Sequence, residues 1–204
     1  MKSDKEKWTI VIIGLWDPRV FTPGWVGKEL FDGKEVGIEV PVIPTLPHRF
    51  NAEGLVLIPQ NDRVIIGLKD IKEDNLNKAE SLAKKILDSF PQLPISSFGI
   101  NFGFVEDAPE DIAPLFNLSD IQKLSDNNYK IRSTEIKRKL EYGQGDLNIT
   151  HSFDEGIVRM HLNFHHPCDS TKSASDLLNN LVRKCRDLAQ DLLNKVYGLT
   201  LEEE

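Results

Sequence analysis

The sequence predicts an α+β protein: a mainly antiparallel sheet with two long helices packed on one face. Three observations predict it. Short apolar segments are separated by turn signals of two to four residues, the pattern of hairpins rather than of parallel crossovers. Two longer segments instead repeat their apolar residues at helical spacing. The order strands-then-helix occurs twice, at about 55–70 followed by 74–90, and at about 129–165 followed by 173–197. Runs of strands followed by helices place the helices to one side of an antiparallel sheet. No sequence repeat accompanies this architectural one.

Residues 9 to 16 are apolar and rich in β-branched types, so they read as a strand. Residues 17 to 50 carry Pro18, Pro23, Pro41, Pro44 and Pro47 among Gly24, Gly27, Gly33 and Gly37. Proline lacks the amide donor, so this segment is expected to be mostly loop or edge, with one short strand at Val36, Ile38 and Val40. Leu55 to Ile58 and Val64 to Ile66 flank a turn at Asn61-Asp62. Both arms are apolar at consecutive positions, so both of their faces are expected to be buried.

Asp70 and Glu73 have the spacing of a helix start, and Leu76, Ala79, Leu82, Ala83, Ile86, Leu87 and Phe90 follow at helical spacing until Pro91. In 95 to 105, Phe98, Ile100, Phe102 and Phe104 point one way and Gly99, Asn101 and Gly103 the other. Positions without side chains predict close approach of a helix or another backbone there, with a ligand as the functional alternative. Asp107 to Glu110 and Ser119 to Gln122 read as two successive starts of short helices. Residues 129–142, 146–153 and 157–165 form a meander turned at Gly143-Gln144 and Glu155-Gly156. The last helix is expected over 173–197, with an apolar stripe from Leu177 to Val196.

The chain has 204 residues, with 25 Lys and Arg against 32 Asp and Glu, a net charge of -7. That length buries a sizeable core without metals or disulfides and is expected to form a single compact unit over 1–204. A division into halves 1–106 and 107–204 would fall in the joint from Glu106 to Asn128. The negative charge argues against non-specific nucleic-acid binding and against an anionic membrane surface. No stretch approaches the ~20 apolar residues of a membrane span. The apolar run from Trp8 to Gly14 reads as a strand rather than a leader peptide. With two cysteines, Cys168 and Cys185, and the latter inside a helical stripe, free thiols and a cytoplasmic location are expected.

One cluster stands out, from Arg159 to Cys168. On a strand, Val158, Met160, Leu162 and Phe164 share one face, and Arg159, His161, Asn163 and His165 the other. A two-residue turn at Glu155-Gly156 puts Thr150 opposite His161, Asn148 opposite Asn163 and Asp146 opposite His165. The turn at Gly143 adds Lys137, Lys139 and Glu141 to the same face. The candidate ligand residues are therefore His161, Asn163, His165, Asn148 and Lys139, on a face that is ordinarily just solvated. His151, opposite Met160, falls on the apolar side as a core histidine. His161 and His165 lie about 13 Å apart along an extended strand, too far to chelate one ion. No metal and no cofactor is implied. Cys168 precedes a helix that could lower its thiol pKa, but nothing completes a catalytic unit. Gly24 to Glu29 lacks the spacing and the hydroxyl residue of a phosphate loop.

The stretches His48-Arg49-Phe50, Leu55 to Leu57, Asp62-Arg63-Val64 and Pro94 to Phe102 resemble a sporadically distributed family of uncharacterised bacterial proteins. The resemblance covers about a third of the chain. It implies a bacterial or phage origin and an α+β fold, and it assigns no residue a role.

Two functional classes follow from the residues. The first is a non-catalytic protein-binding or assembly component of a bacterial or phage system, anchored by Trp16, Phe21, Trp25 and Phe31 in the Pro-rich segment. It takes a protein partner or self-associates. The same aromatics could instead lid the protein's own core. The second is a small-molecule binder or enzyme that uses the polar face around His161, Asn163 and His165.

Overall fold

The computed structural model describes residues 1–43, 46–107, 116 and 119–202. Ten strands form one sheet: β1 (Lys2–Ser3), β2 (Thr9–Gly14), β3 (Gly37–Glu39), β4 (Arg49–Ala52), β5 (Leu55–Pro59), β6 (Arg63–Leu68), β7 (Ile95–Asp107), β8 (Ser133–Tyr142), β9 (Gly145–Asp154) and β10 (Ile157–Pro167). The order is β3-β4-β5-β6-β2-β7-β10-β9-β8, with β1 also on β7, and every described pairing is antiparallel. The helices are α1 (Pro23–Trp25), which runs on into a wider turn over Val26–Leu30, then α2 (Glu73–Ser89), α3 (Ile121–Asp126), α4 (Thr171–Leu177) and α5 (Leu181–Tyr197). The fold is thus α+β, with a large antiparallel sheet and several helices. Among the described residues, no helix is long and apolar enough to cross a membrane.

With β3 and the short β1 set aside, the strand order is two-fold about its centre. β2 is followed by β4, β5 and β6, the last returning beside β2, and then by α2. β7 is followed by β8, β9 and β10, the last returning beside β7, and then by α4 and α5. β2 and β7 pair at the middle, with Ile10 opposite Ile100 and Ile12 opposite Phe98. The pairing joins both halves into one sheet.

Local chemistry explains the hairpins. Glu155 and Gly156 have φ of 47° and 90°, as the mirror-image two-residue turn requires. That turn sets the β9–β10 register, Thr150 opposite His161, Asn148 opposite Asn163 and Asp146 opposite His165. The buried side of the sheet is continuous from Leu57 through Ile66, Ile10, Ile100 and Phe164 to Leu147. α2 lies against β2, β5 and β6, while α4 and α5 lie against β7 and against α2.

Several expectations need correcting. The final helix is two helices, because Asn180 adopts a left-handed conformation at φ 55° and breaks it. The apolar stripe runs across the break and so hides it. Glu80 of α2 accepts from the Asn180 and Val182 amides at 2.7 and 2.9 Å, satisfying the new helix start. The segment 17–50 carries the short strand expected around Ile38, as β3, and adds helical turns at 18–20 and 23–30 that were not expected. Thr22 caps a helical turn with Pro23 at its first position, where a missing amide costs nothing. Val56, Ile58 and Ile65 are half-buried rather than buried, since they lie on the sheet face opposite the core. Asp70 does not cap α2 from its end, and instead accepts from the Lys72 amide and the Asn75 side chain. Of the two short helix starts, the second is α3, and the first lies outside the described residues apart from Asp107.

Candidate functional site

β8, β9 and β10 carry Lys139, Asn148 and Asn163 side by side across the sheet. β7 and β2 extend the row with Asn101 and Thr9. Asn148 Nδ2 donates to Asn163 Oδ1 at 3.0 Å, and Asn163 Nδ2 donates to Asn101 Oδ1 at 2.8 Å. Asn101 Nδ2 donates to Thr9 Oγ1 at 3.1 Å. An asparagine ladder therefore crosses four strands. Each amide can accept and donate at once, so neighbours fix one another's orientation. Gly99, one row along, leaves room for it: a Cβ there would collide with Asn163 Nδ2.

His165 occupies the row of Gly99, beside Asp146, and Lys139 Nζ pairs with that Asp146 at 2.9 Å. His161 lies in the row of Thr150 and Gly103. The turn over Lys5–Lys7 crosses Gly103, where a Cβ would strike the Lys7 side chain. Burial, and secondarily the nearby Lys7 charge, push the His161 pKa down. The structure thus brings His161, Asn163, His165, Asn148 and Lys139 onto one face and adds Asn101 and Thr9, which sequence reasoning did not join to them. The signal for Asn101 was its place among the glycines of β7. The missing link was the β7–β10 register.

The neighbouring groups lie in or against the core. His166 faces the core, stacked on Phe98 with ring centroids 4.8 Å apart, and burial lowers its pKa. His151 is buried against the Tyr197 and Phe116 rings. Burial raises the Cys168 thiol to about 11 and the Cys185 thiol to about 12, opposite in direction to the lowering expected for Cys168 from a helix start. Among the described residues, no group of three or more His, Cys, Asp or Glu side chains is placed to hold a metal ion.

The aromatic candidates fall elsewhere. Trp16, Phe21 and Phe31 are buried in the protein's own core, and Trp25 is half-buried at its border. Trp16, Phe21 and Trp25 cluster around Phe90 at centroid distances of 5.6, 5.7 and 5.5 Å. What the Pro-rich segment exposes most is a different set: Val40, Val42, Ile43 and Leu46, with Val42 at 99 % exposure.

Two clefts flank that set. One, of about 740 Å³, lies between Phe21, Pro23, Ile38, Pro47, Phe50 and Pro59, with His48, Gln60 and Asn61 also lining it. The other, of about 550 Å³, lies on the opposite sheet face between Val40, Val42, Leu46, Ile58 and Ile65. The charges at the first rim are already paired. Arg19 Nε and Nη2 each donate to Asp17 at 2.8 Å, and hydrogen bonding from Arg19 holds that carboxyl below its usual range. Arg63 does the same for Asp62. Neither cleft was legible in the sequence, because each needs β3 to be placed beside β4.

No protein-family model matches the chain, and no curated protein matches it.

Proposed function

We propose that the protein is a non-catalytic protein-binding or assembly component that takes an extended partner segment at the β3 edge of its sheet. The carrying observation is an exposed apolar run, Val40, Val42, Ile43 and Leu46, continuing an open edge strand between two clefts. All three residues of β3 are exposed. A strand added beside it would continue the main-chain ladder, and alternate side chains would enter the clefts on the two faces. Large apolar side chains grouped on an exposed surface mark an interaction site. The bacterial or phage setting and the cytoplasmic location remain part of this reading, the first on the resemblance alone.

The test is a photo-crosslinking phenylalanine in place of Val42, with one in place of Asp191 as control, in cells that make the protein. The expected result is one discrete adduct at position 42 that Ile38→Asp abolishes. The same adduct at both positions, or none at 42, would discard the proposal.

A second reading is favoured by the asparagine ladder: the face around His161, Asn163 and His165 binds a small polar ligand. It takes the two long helices to cover the other face of the sheet, leaving this one open. Amides oriented by one another form a pre-ordered hydrogen-bonding surface. Ligand-induced shifts in the Asn148 and Asn163 side-chain amide resonances, with Val42 unaffected, would favour this reading over the first.

A further inference from the structure

The opposite edge of the sheet is built differently. We infer that β8 pairs with β8 of a second copy of this chain, making a continuous sheet through a two-fold axis at Ile136. This does not rest on the β3 edge.

β8 ends the strand order, so along ten residues the main-chain groups of its outer side meet no strand among the described residues. Such an edge invites pairing, and charged side chains usually discourage it. Here the sequence Thr134-Glu135-Ile136-Lys137-Arg138 arranges its charges so that a long antiparallel self-pairing is complementary. A two-fold axis perpendicular to the sheet keeps each side chain on its own face, so only registers pairing odd with odd and even with even positions are allowed.

Centred on Ile136, the register sets Glu135 opposite Lys137 of the second copy and, by symmetry, Lys137 opposite its Glu135. Opposite charges directly across strands attract. Centring on Lys137 would stack that lysine on itself. Centring on Arg138 would stack Glu135 on Glu141 and Lys137 on Lys139. Centring on Leu140 is charge-compatible but pairs only five residues of β8, whereas the Ile136 register pairs seven.

The core side of the strand agrees. Ile136 is half-buried and borders the hydrophobic core, and in this register it meets Ile136 of the second copy. Thr134 of the second copy comes opposite Arg138, whose Nη1 is buried with no hydrogen-bond partner among the described residues. In the isolated chain Glu135 and Lys137 pair with each other at 2.8 Å, and Lys139 pairs with Asp146. Dimerisation exchanges the two intrachain Glu135–Lys137 pairs, one in each copy, for two pairs between copies, and leaves Lys139–Asp146 intact.

Sedimentation velocity over a concentration series, at low ionic strength where exposed charges are least screened, tests this. The wild-type chain should show a monomer–dimer equilibrium. Glu135→Lys should weaken it about tenfold or more by setting lysine against lysine twice, and Lys137→Glu should do the same with glutamates. The double swap Glu135→Lys with Lys137→Glu should restore it. Both positions are exposed, and unchanged circular dichroism will confirm that each variant folds. A wild-type chain still monomeric at roughly 100 µM, the range of a weak specific contact, overturns the inference. So does a dimer indifferent to the single reversals, or one that the double swap fails to rescue.

Discussion

Asn163→Ala removes the middle of the asparagine ladder. Asn163 accepts from Asn148 at 3.0 Å and donates to Asn101 at 2.8 Å, so two hydrogen bonds vanish together. Each neutral bond contributes about 1 kcal/mol net. The two ends then fare differently. Asn148 is half-buried and recovers a water, whereas Asn101 is only 8 % exposed and its Oδ1 loses its partner. An unsatisfied buried acceptor adds about 1 kcal/mol or more. The expected loss is about 2–3 kcal/mol, which for a chain of this size lowers the melting temperature by roughly 5–10 °C. Urea titration with an unchanged slope would assign the effect to the folded state. Asn148→Ala, at the outer end, should cost about 1 kcal/mol or less. The double variant Asn101→Ala with Asn163→Ala should cost less than the sum of the singles, because the two share a bond. A change below about 0.5 kcal/mol for Asn163→Ala, or strict additivity in the cycle, would show that the ladder is not a coupled unit.

Three further outcomes are expected. Phe21→Ala should cost about 3–5 kcal/mol in thermal melts by opening a cavity among Trp16, Trp25 and Phe90, whereas Val42→Ser should stay within about 0.5 kcal/mol; similar losses for both would contradict the burial pattern. Glu80→Ala strips the acceptor from the first amides of α5 and should cost about 1–2 kcal/mol, seen as a lower urea midpoint. His161 and His166 have folded pKa values held below 6.5 by burial, so the unfolded chain binds more protons near that pH. Their contribution is complete above pH ~6.5 and is lost as pH falls through that value towards the folded pKa. The urea midpoint should therefore drop between pH 7.5 and 5.5, and less so in the variant carrying His161→Gln and His166→Gln; an equal drop would place the titrating groups elsewhere.

The sequence by itself determined the hairpins and the helices whose signals are local. Glu155-Gly156 is a two-residue turn, and a turn of fixed length leaves its strands one register, so the pairing of Asn148 with Asn163 followed from counting. The face that carries His161, Asn163 and His165 was legible for the same reason. α2 was legible because its apolar spacing ends at Phe90-Pro91. The break at Asn180 was not, since the apolar stripe continues across it and a single left-handed residue leaves no mark on the period. Only the tertiary structure decided that Thr9 and Asn101 complete the ladder, that Phe21 and Trp16 close on Phe90, and that β3 stands between two clefts. β2 meets β7 across some ninety residues of chain, and no turn chemistry spans that separation. Such pairings are selected by the free energy of burying one shared apolar face, which depends on every strand at once.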